Sequence, residues 1–137
     1  MIITDPTLLR VKCTKVLPGE VSFFLDLLEQ ELKIANGLGL AAPQINYNRS
    51  IAIVRVNGYK INLVNAKIKI GYDKSIFSGE GCLSFPGQYV KTLRYKEIVI
   101  EENLVEPHSF IATGLLAVVC QHELNHLEGI LLPDLAI

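Results

Sequence analysis

Cys82 within EGCLS, and His122 and His126 within HELNH, are the residues of this chain whose types and spacing suit a metal ion. Positions four apart on a helix share one face, so the two imidazoles can grip one ion with Glu123 beside them. Two nitrogens and one thiolate make three protein ligands, leaving the fourth tetrahedral position for a water that the cation can acidify. An open position of that kind points to hydrolysis rather than to structural stapling. Plainer readings compete with each part. An exposed helix carrying two His and one Glu would look the same, and Cys82 could be a buried core thiol, the commonest state of a free cysteine. Scarcity weighs against the first, because two of the three histidines fall at this spacing with a Glu between them. The third, His108, follows Glu106 and Pro107 and reads as a solvated turn residue. Gly79 and Gly81 before Cys82, with Pro86 and Gly87 after it, argue for a shaped loop or strand edge.

A further segment with chemical content is GLGLAAPQ, Gly37 to Gln44. Its glycines let backbone come close to a ligand, and the small alanines leave room beside it. It lacks the Lys of a phosphate-binding loop and follows no clear strand, so nucleotide binding is not expected. A tight turn leaving a helix explains the glycines equally well. Gln44 is its informative side chain, since an amide donates to a developing oxyanion without any shifted pKa.

The elements that must position these groups follow from periodicity. Val21, Phe24, Leu25, Leu28, Leu32 and Ala35 recur at spacings of three and four and predict an amphipathic helix over 21–35, with Gly37 placed to end it. Glu20, Asp26, Glu29, Glu31 and Lys33 form its solvated face. Runs rich in Ile and Val predict strands at Ser50 to Val56, Tyr59 to Val64, Ala66 to Tyr72 and Glu97 to Glu101. Asn57 and Gly58 mark a hairpin turn between the first two. A second helix is predicted from about Thr113, a possible N-cap, to Leu127, with Gly129 just beyond its end. It carries HELNH, and Leu115, Leu116, Val118 and Val119 ahead of the motif can pack on a sheet while the imidazoles face a cleft. The pattern predicts an α+β fold in which small antiparallel or mixed β-sheets pack around a central helix bearing the motif.

Size and composition set the outer bounds. At 137 residues, half of them hydrophobic, the chain fits a single domain over 1–137 with one core. A formal charge of −1 leaves no electrostatic footprint for nucleic acid or an anionic membrane. Three cysteines without a signal-peptide pattern read as reduced thiols of the cytoplasm. The apolar stretch Gly114 to Cys120 is too short to span a bilayer. Neither repeat nor low-complexity tract interrupts the chain, and a monomer is expected.

GLGLAAPQ, EGCLS and QHELNHLEG, in this order and at these separations, resemble the three motifs of the peptide deformylases, and the resemblance runs from about residue 20 to residue 132. It implies metal ligands Cys82, His122 and His126, a general base in Glu123, and an oxyanion held by Gln44 and the backbone N–H of Leu83. It implies removal of the formyl group from the N-terminal formylmethionine of nascent polypeptides. The implied ion is Fe2+, with Zn2+, Co2+ or Ni2+ able to take its place. An apolar pocket from Leu38, Leu115, Val118 and Val119 is expected to take the methionine side chain, and Leu38, Gly39 and Gly81 to pair with the substrate backbone as an added strand. Two features depart from the family pattern. Asn125 stands in HELNH where Asp is common, and Arg94 is the expected partner of that position. The chain also ends soon after the third motif, which resembles the short forms carried by some bacteriophages and implies at most transient proximity to the ribosome without a C-terminal docking helix. Two rival readings remain: a zinc peptidase with its third ligand after HELNH, for which Glu128 and Asp134 are the acidic candidates, and a metal- or peptide-binding module that has lost catalysis.

Overall fold

A computed structural model of the chain describes residues 1–103 and 106–137, and it shows why the strand Ile51–Val56 is apolar at nearly every position. This strand, β2, lies between β1 (Gly39–Ala41) and β3 (Tyr59–Val64) in an antiparallel sheet ordered β1-β2-β3. Alternate side chains of a strand point to opposite faces, and both faces of β2 are covered. Ala52, Val54 and Val56 pack in one cluster with Ala117, Cys120, Leu124 and Leu127 of helix α3 (Gly114–Leu127). Ile51 and Ile53 pack in a second cluster with Phe24, Leu28 and Leu32 of helix α2 (Val21–Ala35). The expected helix over 21–35 forms with those bounds. Its end differs: Asn36 takes the left-handed turn at φ 55°, and its N–H bonds the carbonyl of Leu32. Gly37 instead lies where a Cβ would come within 2.8 Å of Leu83 Cδ1, so a larger residue there would displace the Leu83 side chain.

The second sheet is ordered β4-β5-β6, antiparallel throughout, from Ala66–Cys82, Phe85–Asn103 and Pro107–Thr113. Both named sheets are therefore antiparallel rather than mixed. β4 and β5 run far beyond the expected 66–72 and 97–101. The added stretches are polar and glycine-rich, and much of this two-stranded ribbon is exposed. Its pairing rests on backbone ladders that no hydrophobic alternation announces. Register shifts at Ile68/Ile70, Phe77/Glu80 and Gly81/Cys82 bend the ribbon. Cys82 pairs with Phe85, so Leu83 and Ser84 form the hairpin turn. His108 is exposed as expected but belongs to β6, where it pairs with Glu102 in the ladder, rather than to a turn.

Helix α3 crosses between the sheets and touches β1, β2, β5 and β6. Its residues from Ala117 to Leu124 are all buried, as befits a helix enclosed on all sides. Thr113 sits at the N-cap in extended backbone without a side-chain capping bond. Gln121 ties the helix to β5 like an extra strand, accepting from Tyr95 N at 2.9 Å and donating to Tyr95 O at 2.8 Å. Short helices α1 (Pro6–Leu9) and α4 (Leu132–Leu135) close the remaining side, where Leu9, Leu131, Leu132 and Phe85 form a third cluster against Cys82. No described helix is long and apolar enough to cross a membrane.

Candidate active site

The fourteen-residue helix α3 presents His122, Glu123 and His126 inside the protein, and the end of β4 brings Cys82 to meet them. Cys82 Sγ lies 3.3 Å from His126 Nε2, and the donor atoms of Cys82, His122 and His126 all fall within 4.8 Å of one another. A thiolate and an imidazole nitrogen bound to one tetrahedral zinc-like ion stand roughly 3.5 Å apart. The Cys82–His126 separation fits that requirement. The rival third ligands are placed elsewhere: Asp134 accepts from Arg10 at 2.7 and 2.9 Å, and exposed Glu128 lies 3.6 Å from Lys12. Cys82 is the residue that completes the histidine pair.

His122 is oriented by Glu80, a residue whose part the sequence reading missed. The His122 Nδ1 to Glu80 Oε2 distance is 2.7 Å, which commits that nitrogen to the carboxylate and leaves Nε2 for a cation. Glu80 also accepts from Thr92 Oγ1 at 2.7 Å and, side-on, from Arg94 Nε at 2.8 Å and Nη2 at 2.5 Å. Burial alone would raise its pKa, but the hydrogen bonds from Arg94, His122 and Thr92 outweigh burial and bring it down to about 2. Burial likewise opposes charge on His122, yet its bonds to Cys82 and Glu80 prevail and raise it to about 10. Positive charge is thus favoured beside the sulfur and the carboxylate. His126 is kept neutral, lowered to about 3 by burial and then by the charges of His122 and Arg94.

Glu123 is buried, and burial, with a smaller push from Glu80, raises it to about 7 against the pull of His122 and Arg94. Its Oε1 and the Nδ1 of His126 are buried without a hydrogen-bond partner among the described residues. Orphaned buried polar atoms are rare, so the unpartnered Glu123 oxygen beside three converging donor atoms marks a place built for something further, whereas His126 Nδ1 is the ring nitrogen turned away from Cys82. Gln44 is fixed from both ends of its amide. Its Oε1 accepts from Ala41 N at 3.0 Å, and Nε2 donates to Ser84 Oγ at 3.0 Å with Cys82 Sγ at 3.7 Å. The residue expected near the metal ligands is there.

A cavity of about 530 Å³ opens onto these groups. Leu38, Gly39, Gly81, Leu83, Leu115, Val118 and Val119, all anticipated from sequence, line it together with Gln44, Cys82, His122 and Glu123. Val118 and Val119 are buried, whereas Leu38 and Leu115 are half exposed at its rim. Phe77, Phe85 and Tyr89 also line it and were not anticipated. Tyr89 lies across Gly81, with Cε1 2.8 Å from where a Cβ would stand, a juxtaposition made by strand register and invisible in linear spacing.

The family model described as polypeptide deformylase matches residues 1–136. A peptide deformylase of Dictyoglomus turgidum is 36% identical over 98% of this chain and 90% of its own length. The crystal structure of a peptide deformylase from Thermotoga maritima superposes with a TM-score of 0.91 at 27% identity, covering 100% of this chain and 97% of that one. One from Synechococcus elongatus in complex with actinonin gives 0.90 at 30% identity over 100% of this chain and 78% of that one. Agreement that spans this chain nearly end to end places the protein in the polypeptide deformylase family, the metal-dependent enzymes that hydrolyse the N-formyl group of nascent polypeptides.

Proposed function

We propose that Cys82, His122 and His126 hold one divalent cation, and that Glu123, Gln44 and Leu83 carry out deformylation beside it. The observation that carries this reading is the convergence of the three donor atoms next to a buried carboxylate with an unpartnered oxygen. When bound, the cation supplies Lewis-acid polarisation of the formyl carbonyl and acidifies water towards a pKa of roughly 7. Fe2+ is the proposed native ion, and the mixed sulfur and nitrogen donors also suit Zn2+, Co2+ or Ni2+.

Glu123 takes the proton of the attacking water and returns it to the leaving amine. Burial raises this carboxyl above the ordinary carboxylate range, the direction that favours accepting a proton and holding it for the leaving amine. The Gln44 amide, held by Ala41 and Ser84, and the N–H of Leu83 donate to the oxyanion, each such donor typically worth about 3 kcal/mol. Val118, Val119, Leu115, Leu38 and Phe85 offer the apolar surface for the methionine side chain. Leu38, Gly39 and Gly81 offer backbone edges on which an extended peptide can add as a strand. Formate and a free methionyl N-terminus are the products. Residues 1–137 act as one catalytic domain, monomeric, in the cytoplasm where formylated chains emerge, with transient proximity to the ribosome.

The test is anaerobic purification with elemental analysis, followed by formate release from a formyl-Met peptide by wild type and Glu123→Ala. One cation per chain is expected, and Glu123→Ala should retain it while losing about 100-fold or more in kcat. Full turnover by Glu123→Ala would remove the assigned base, and wild type that bound no cation would remove the assigned ligands.

A further inference from the structure

Four side chains form a closed ring behind the ligand cluster, and two of its members stand three positions apart on α3. His122 bonds Glu80 on β4, Glu80 is gripped side-on by Arg94 on β5, and the remaining arm of Arg94 returns to α3, donating from Nη1 to Asn125 Oδ1 at 2.6 Å. The Arg94 guanidinium is buried, and its head uses a different nitrogen for each of these three bonds. Without a proton added to His122, the ring holds one negative charge on Glu80 and one positive charge on Arg94. Asn125 accepts a hydrogen bond and adds no charge.

We propose that Arg94 and Asn125 are positioning residues for the metal centre: their bond fixes the turn of α3 between His122 and His126 against β5, and through Glu80 against β4, the strand that carries Cys82. The inference rests on the reading that Cys82, His122 and His126 bind one cation. The geometry explains why one bond matters to two ligands. Arg94 grips both oxygens of the Glu80 carboxylate that orients the His122 ring, with Thr92 on one of them, and Arg94 is held in turn by Asn125. Asn125 directly precedes His126, so the same bond sets the helical phase of the second imidazole. Partners that orient metal ligands in this way typically contribute about 10–100-fold in affinity. The neutral amide also leaves Glu80 as the only carboxylate in the ring on Arg94. An acid at 125 would share the guanidinium and leave Glu80 the stronger acceptor for the His122 N–H, and so His122 the stronger ligand.

The experiment is a Co2+ titration of metal-depleted protein against a competing chelator, with the visible spectrum of the Co2+ form recorded for wild type, Asn125→Ala and Asn125→Asp. Asn125 is only partly buried and Ala favours helix, so Asn125→Ala is expected to fold. Its Co2+ affinity should fall about 10-fold or more with an altered ligand-field spectrum, whereas Asn125→Asp should bind at least as tightly as wild type. A merely structural role would lower the thermal midpoint of metal-depleted Asn125→Ala and leave affinity and spectrum unchanged, and that result overturns the proposal. Co2+ binding by Asn125→Asp weaker than wild type overturns it as well, and decides the matter if Asn125→Ala does not fold. Wild type that failed to bind Co2+ would instead defeat the ligand assignment on which the inference stands.

Discussion

Gly39 sets the position of Glu123 by what it lacks. A Cβ at that residue would lie 2.5 Å from Glu123 Oε2, closer than real contacts come, and a tight 3.1 Å from its Cγ and Cδ, so the carboxylate in its present place occupies space that glycine leaves open. Gly39→Ala therefore pushes aside the proposed base while leaving Cys82, His122 and His126 where they are. Because a displacement of about 1 Å at a reacting group can cost roughly 100-fold, kcat for formate release should drop by about that factor at unchanged metal content. Steady-state kinetics paired with elemental analysis checks this, and wild-type kcat in Gly39→Ala would show that Glu123 is not held as described. The requirement could not be read from GLGLAAPQ alone, where the glycines were equally consistent with a turn. It appears once α3 is laid beside β1.

At the scale of elements, what could be read in advance depended on whether side chains or backbone carry the information. α2 was readable because Phe24, Leu28 and Leu32 bury one helical face. The β2–β3 hairpin was readable because Asn57 and Gly58 supply the two positive φ values, 50° and 83°, that its turn demands. The convergence of Cys82, His122 and His126, the proposed ligand set, was readable because residue type and spacing on α3 suggest its chemistry. The long β4–β5 ribbon was hidden, since exposed ladders impose no alternation, and with it went the role of Glu80, which depends on the bulge that brings it beneath His122. Glu80 also carries a stability prediction for the contact between β4, β5 and α3. Its folded value of about 2 lies below the ordinary 4.5, so its contribution is fully present above pH 4.5 and is lost as pH falls towards 2. A difference of that size corresponds to about 3 kcal/mol. Urea unfolding of metal-depleted wild type and Glu80→Gln, followed downward from about pH 6, should show wild type losing stability more steeply below about pH 4.5. Parallel curves would mean that the carboxylate is not held as the ring implies.

For the whole molecule, the proposed assignment of Cys82, His122 and His126 as ligands makes folding and metal binding one equilibrium. The three donors come from β4 and α3, distant in sequence, and the protein around them buries His122, Glu123 and His126 with two polar atoms unpartnered among the described residues. The unfolded chain holds no such arrangement, so a cation that binds the folded form stabilises it by about 2.7 kcal/mol at one hundred times its Kd and about 4.1 kcal/mol at one thousand times. For a chain of 137 residues this corresponds to a rise of roughly 10 °C in Tm. Calorimetry with Zn2+ added and then removed by a chelator should show that shift appear and vanish. Cys82→Ser separates site binding from adventitious binding. It keeps the fold and the two histidines but replaces the soft thiolate, so its Tm should respond to Zn2+ far less than that of wild type. Equal shifts in the two proteins would place the stabilising ion elsewhere on the molecule and detach the ligand cluster from the stability of the fold.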